Sequence, residues 1–164
     1  MMPGVKGIHH VAVSVPSLEK AREFYRDILG LKEVSCSEWQ PGNAFIDEIV
    51  GLRDSSGRTA MYRAQNAYIE VFEYRTPAQS ASQDPRRPVN EYGYTHFGIQ
   101  VEDIQSVYQR LLAAGLTFHT PPLDTGPSSA SNDRPGLAAT YGRDFFGNVF
   151  ELLEINEGGG VPPL

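Results

Sequence analysis

Cysteine is almost absent. Cys36 is the single one among 164 residues, which excludes an intrachain disulfide and any zinc site built from thiolates. With no local motif around it, Cys36 reads as a passive side chain rather than a nucleophile. Long apolar runs are missing too, and nothing approaches the roughly 20 residues that a membrane span requires. The N-terminus lacks the basic-then-apolar layout of a secretion leader, so a cytoplasmic protein is the default expectation. Positive charge is in deficit, with 14 Lys and Arg against 20 Asp and Glu and a formal net charge of -6. That balance argues against nucleic acid or an anionic membrane as the main partner. The one basic pair, Arg86-Arg87, is too short to form a nucleic-acid patch.

Core material is ample, at 40% hydrophobic residues with eight each of Tyr and Phe, and suits one compact domain or two small modules. The first informative stretch is Gly7 to Val15, GIHHVAVSV. Counting by twos puts Val11, Val13 and Val15 on one strand face, and His10, Ala12 and Ser14 on the other. An amphipathic helix follows over Ser17 to Leu29, with Leu18, Ala21, Phe24, Tyr25 and Ile28 on one stripe. Gly30-Leu31 supplies its left-handed stop and the hydrophobic contact that accompanies it. The pattern then returns in the second half. Tyr94 to Val101 carries His96 where the first strand has His10, and Phe97, Ile99 and Val101 stand for the three valines. A helix from about Asp103 to Ala114, with Ile104, Val107, Leu111 and Leu112 as its buried stripe, ends on Gly115-Leu116. Strand, histidine, helix and Gly-Leu stop recurring together constitute an internal repeat.

Between these landmarks the first half offers a strand over Lys32 to Glu38, a turn-rich loop over Trp39 to Asn43, and a segment Ala44 to Leu52 whose pattern fits neither class cleanly. Ser55-Ser-Gly57 reads as a hairpin turn, Arg58 to Ala64 as a strand, Gln65-Asn66 as a tight connection and Ala67 to Tyr74 as the last strand. In that strand Glu70 lies between Tyr68 and Phe72 on one face, with Ile69 and Val71 on the other. The second half offers strands at Thr117 to Thr120, Leu137 to Arg143 and Val149 to Ile155, with a hairpin turn at Asp144 to Asn148. Asp124 to Gly136 is a Ser/Pro/Gly/Asp-rich excursion. These boundaries give a first module over 5–75, a linker over 76–92, a second module over 93–156 and a flexible tail over 157–164.

Each half thus reads β-α-β-β-β, beginning on a strand with a histidine and ending on one with a glutamate. A right-handed crossover makes the second strand parallel to the first. Two hairpins later the fourth strand is again parallel to the first and can lie beside it. His10 then comes near Glu70, and His96 near Glu151, on the face turned away from the helices. Two modules facing each other, within a chain or between subunits, bring all four together.

The stretches HHVAVSVPSLEKAREFYRDILGL, YIEVFEY, THFGIQVEDIQSVYQRLLAAGL and RDFFGNVFELLEI resemble the vicinal oxygen chelate superfamily of glyoxalases, epimerases, extradiol dioxygenases and drug-resistance proteins. The FGN-x-x-E ending is a specific sign of its second module. The resemblance implies an α+β fold of two tandem β-α-β-β-β modules forming a curved mixed β-sheet cup with helices outside. It implies metal ligands at His10, Glu70, His96 and Glu151. His9, expected to point to the helix side with Val11, is the neighbour that competes with His10. His119 has no counterpart in the first module and reads as a surface or structural histidine. Two imidazoles and two carboxylates suit a divalent Zn, Ni, Co, Fe or Mn ion. In the family's isomerases the proton-transferring base matches Glu151 or Glu70, and an enediolate or enolate forms next to a carbonyl. The implied activity is a metal-dependent isomerase, epimerase or lyase acting on a small carbonyl substrate. The alternatives are an extradiol-type ring-cleaving dioxygenase, or a non-catalytic protein that binds a drug or metabolite. The family also implies a homodimer.

Overall fold

The computed structural model describes residues 2–79, 87–124, 136–156 and 161–164. The chain divides into two compact units, Met1–Ser82 and Gln83–Leu164. The expected linker includes residues 80–86, which lie outside the described residues, as do 125–135 of the Ser/Pro/Gly-rich excursion and 157–160 of the tail. Among the described residues no helix is long and apolar enough to cross a membrane.

In the first unit, strand β1 (His10–Ser14) leads to helix α1 (Leu18–Arg22), which continues directly into a π-helical stretch (Glu23–Ile28). Strand β2 (Lys32–Trp39), helix α2 (Ala44–Val50), β3 (Ser56–Arg63) and β4 (Tyr68–Thr76) follow. The sheet order is β1-β4-β3-β2, with β1 parallel to β4 and the other pairs antiparallel. Ser17 caps α1, its hydroxyl accepting from the Lys20 amide at 3.2 Å. The sequence pattern predicts one uniform helix here. The structure widens its second half into π turns, with Leu29 N–H bonded five residues back to the Phe24 carbonyl at 2.9 Å. Gly30, at φ 73°, closes it, and Leu31 N–H returns to the Tyr25 carbonyl at 2.9 Å. The buried stripe Leu18, Ala21, Phe24 and Tyr25 lies against the β3–β4 face that carries Ala60, Tyr62, Ile69 and Val71, with Tyr25 stacked on Tyr62 at 5.4 Å.

Several expectations need correcting in this unit. Within Ala44 to Leu52 the chain forms α2 (Ala44–Val50), capped by the Asn43 side chain at its start and by left-handed Gly51 at its end. Ser55-Ser-Gly57 is not a hairpin turn, because Ser56 and Gly57 already belong to β3 and α2 makes the connection. Ser55 is fully buried. Its amide and hydroxyl bind the Asp47 carboxylate of α2, and its Oγ accepts from the Trp39 indole N–H at 3.0 Å. Val11 is 40% exposed because β1 is an edge strand; Val13 is half-buried and Val15, just past the strand, is buried.

The second unit repeats the plan. Strand β5 (His96–Gln100) is followed by α3 (Ile104–Ala113), β6 (Thr117–Phe118), β7 (Leu123–Asp124), β8 (Leu137–Arg143) and β9 (Val149–Ile155). The order is β5-β9-β8-β6, with β7 also paired to β8, and β5 is parallel to β9. The strand expected over Thr117 to Thr120 stops at Phe118 and resumes at Leu123, both pieces lying along β8. Pro121 and Pro122, which have no ladder N–H to give, fall in the gap. Helix α3 buries Ile104, Tyr108 and Leu111, whereas Leu112, expected in the stripe, is 38% exposed. The β8–β9 turn is held by Asp144, whose carboxylate accepts from the Phe146 and Asn148 amides and the Asn148 side chain at 2.8–2.9 Å. Burial pushes the Asp144 carboxyl upward, and those donors oppose the shift.

Both units tie their helix to the last strand in the same way. Glu73 accepts a hydrogen bond from the Leu18 amide at 2.6 Å, and Glu154 one from the Ile104 amide at 2.8 Å. Each carboxylate lies three residues beyond the glutamate predicted as a ligand. An odd step along a strand reverses the face, so one glutamate of each pair serves the helix start and the other points away from it.

Candidate metal centre

In the first unit the β1–β4 register pairs His10 with Tyr68, Ala12 with Glu70 and Ser14 with Phe72, which places these six side chains on the face opposite α1. His10 Nε2 stands 3.2 Å from Glu70 Oε2. The other ring nitrogen, Nδ1, is 3.0 Å from Nδ1 of His9. Thr59 on β3 approaches the second Glu70 oxygen at 3.4 Å. In the second unit His96 pairs in register with Val149, and Gly98 with Glu151. His96 Nε2 lies 3.5 Å from Glu151 Oε2, and its Nδ1 is 2.9 Å from the Thr95 hydroxyl.

Small residues make this possible. Ala12 and Gly98 hold equivalent positions beside the two glutamates, so each carboxylate lies over a strand with little side chain in its way. At Gly98 an added Cβ would be 3.0 Å from Leu153 Cδ2 and 3.6 Å from Glu151 Oε2. The imidazole–carboxylate pairs are partly open to solvent, with side chains 40% and 19% exposed in the first and 26% and 23% in the second. Each unit therefore offers one imidazole and one carboxylate, both accessible. Among the described residues no three or more His, Cys, Asp or Glu side chains gather into one group.

The donor set fits a divalent ion. Ligand atoms about 2.1 Å from one ion are about 3.0 Å apart at right angles and about 3.4 Å apart at the tetrahedral angle. The two His–Glu separations, 3.2 and 3.5 Å, fall in or close to that range. In both pairs Nε2 faces the carboxylate while Nδ1 has a partner of its own, as the free ring nitrogen of a metal-binding histidine usually does.

His9 departs from the expected orientation. It precedes the first residue of β1 and so escapes the strand alternation. Its ring stacks on Tyr68 at 4.7 Å, on the same face as His10. His119 is exposed, as expected, with its ring edge 5.9 Å from Tyr141; Tyr141 in turn sits 4.6 Å from the His96 ring. Cys36 is exposed, and its sulfur takes a contact from the Arg22 guanidinium at 3.1 Å.

Beside the first pair is a concavity of about 530 Å³ between α2 and the sheet, lined among others by Trp39, Phe72, Thr59, Ile46 and Ile49. Thr59 belongs both to this wall and to the Glu70 surroundings, so the hollow adjoins the carboxylate. Tyr74, next along this face, has its phenol pushed up by burial and then by the nearby Glu70 charge. This wall has a signal in the sequence. Phe45, Ile46, Ile49 and Val50 follow helical spacing between an Asn cap and a Gly stop.

A β-α-β-β-β unit in which a histidine of the first strand meets a glutamate of the last, occurring twice in one chain, defines the vicinal-oxygen-chelate class of α+β proteins. The chain belongs to the Glyoxalase/Bleomycin resistance protein/Dioxygenase superfamily, whose family model matches residues 7–152. Over 119 residues it is 30% identical to a 2-epi-5-epi-valiolone epimerase from an Actinomyces species, a match spanning 68% of this chain and 61% of that protein. Among solved structures, a glyoxalase family protein from Bacillus cereus is similar with a TM-score of 0.79, at 22% identity, covering 94% of this chain and 98% of that one. The fosfomycin resistance protein FosX from Listeria monocytogenes, solved with Mn(II) and a sulfate ion, is similar with a TM-score of 0.57 at 18% identity, covering 93% and 95%. These structural likenesses bear on the fold.

Proposed function

We propose that His10, Glu70, His96 and Glu151 together hold one divalent metal ion, and that the protein is a metal-dependent epimerase or isomerase of a small carbonyl compound. The observation that carries the reading is the duplicated His–Glu pair, each with its Nε2 and a carboxylate oxygen at a separation suited to neighbouring ligands of one ion. The 30% identical epimerase supports the choice among reactions. A polyhydroxylated cyclic ketone of the valiolone type is the first substrate to test. The four ligands would come from the two modules of one chain, or from modules of two chains in a homodimer.

A bound divalent ion would supply positive charge to the substrate oxygens and so acidify the adjacent C–H. The chain's own residues would move the proton. Glu151 takes it from the carbon on one face at a carboxylate oxygen, Glu70 relays one from solvent to the opposite face, and Glu151 then gives its own up to solvent. One proton leaves and one returns, so configuration changes without any net gain or loss of atoms or electrons.

The test is solvent exchange. With Mn, Zn, Ni, Co or Fe(II) added, the protein should move deuterium from heavy water into 2-epi-5-epi-valiolone or a related ketone, followed by NMR. Glu151→Gln should lower exchange about a hundredfold or more, the usual scale for removing a positioned base. Oxygen consumption with a catechol, which would mark a dioxygenase, or tight binding without metal-dependent exchange, which would mark a sequestering protein, would each reject the reading.

A further inference from the structure

The side chain preceding each proposed ligand histidine carries information that neither the repeat nor the family match uses. Consecutive side chains of a strand point to opposite faces, so the residue before a strand histidine ordinarily cannot touch its ring. Here both do. His9 and Thr95 each stand immediately before the first residue of their strand, where the alternation does not yet bind them. His9 turns its Nδ1 to within 3.0 Å of Nδ1 of His10, and Thr95 its hydroxyl to within 2.9 Å of Nδ1 of His96. The His9 ring is itself held by stacking on Tyr68, at 4.7 Å and an interplanar angle of 17°. Its backbone is held as well, since its carbonyl accepts from the Tyr68 amide at 3.0 Å.

We infer that His9 and Thr95 are positioning residues that reserve Nε2 of His10 and His96 for the metal; the inference rests on the four-ligand reading above. The chemistry is symmetrical although the residues differ. A histidine that gives Nε2 to a metal must carry its remaining proton on Nδ1, and that proton needs an acceptor in line. A threonine hydroxyl oxygen accepts it at His96. At His10 the acceptor is the bare Nδ1 of His9, whose own proton then sits on Nε2. Each acceptor fixes the ring rotation as well as the proton, which keeps Nε2 directed at Glu70 or Glu151.

The experiment compares Zn(II) and Mn(II) affinity, measured by chelator competition on the full chain, for wild type and variants. His9→Ala and Thr95→Val should each bind about ten- to a hundredfold more weakly, the usual loss when the partner of a ligating histidine is removed. Thr95→Ser and His9→Asn, which restore an acceptor oxygen, should recover most of the affinity, as a merely bulky or stabilising side chain would not require. In the Zn(II)-loaded protein, nitrogen-15 shifts should show His10 and His96 bound through Nε2 and protonated at Nδ1. Wild-type binding with unchanged affinity in both variants would overturn the inference and leave the metal site standing. So would metal held through Nδ1, or a site that survives His10→Ala but not His9→Ala. A wild-type protein that takes up no metal would overturn both.

Discussion

Removing the charge of Glu154 tests whether the last strand anchors the helix electrostatically. Helix α3 begins at Ile104, whose amide is one of the first-turn donors with no partner inside the helix. Glu154 Oε2 meets that amide at 2.8 Å from fifty residues away, while Asp103 takes the Ser106 amide at 2.9 Å. Two carboxylates therefore face the positive end of one helix dipole. Glu154→Gln keeps an acceptor but loses the charge, which at a half-buried helix start is worth about 1 kcal/mol. Glu154→Ala also loses the charged hydrogen bond, for a total of about 2–3 kcal/mol. For a chain of this length each kcal/mol moves Tm by roughly 2–4 °C. The expectation is a fall of roughly 2–4 °C for Gln and roughly 4–12 °C for Ala, read by circular dichroism or calorimetry at low ionic strength. Added salt should shrink the Gln effect more than the difference between the two variants. Both variants melting within about 1 °C of wild type would refute the reasoning.

Metal analysis should find His10→Ala and His96→Ala proteins depleted of the ion that wild type retains, and full stoichiometry in both would end the four-ligand proposal. Gly142→Ala would set a Cβ 2.5 Å from Phe150 Cζ and 2.7 Å from Phe118 Cε1. Overpacking of that kind should cost about 1–3 kcal/mol in urea unfolding, and an unchanged midpoint would show that the rings yield freely. The hydrogen bond from Arg58 holds the Glu19 carboxyl down to about 2, against an ordinary value of 4.5. A folded-state value below the unfolded one contributes stability above pH 4.5 that is lost as pH falls toward 2. Because the side chain is 61% exposed, the contribution is below about 1 kcal/mol; Glu19→Gln should therefore differ from wild type at pH 7 and converge with it near pH 2. Light scattering at micromolar concentration should return a mass of about twice the 18.1 kDa chain, and a monomer mass would reject the homodimer.

Much of each unit could be read from residue order alone because the signals are local and periodic. The alternation in HVAVS and HFGIQ, the helical stripe through Leu18, Phe24 and Tyr25, and the Gly-Leu stops all act within a few residues. The crossover rule makes the fourth strand parallel to the first and allows it to lie beside it, which puts His10 near Glu70 and His96 near Glu151; the structure has that strand order in both units. Other features depended on what long-range packing does to a local pattern. Periodicity places Leu112 on the buried stripe, and only the packed helix selects Tyr108 instead. Helix α2 has its own local cap and stop, but that Asp47 would bind Ser55 beside the Trp39 indole, making 55–57 the approach to β3 rather than a hairpin turn, depended on packing. His9 departs from the alternation because it stands one residue before the strand, where stacking on Tyr68 sets its side chain. Nothing in the strand pattern marks Glu73 and Glu154 as the acceptors of the Leu18 and Ile104 amides. Periodicity determined which face each residue could occupy; only tertiary packing decided which atom it would meet there, because a hydrogen bond is settled within a few tenths of an ångström and a sequence period is not.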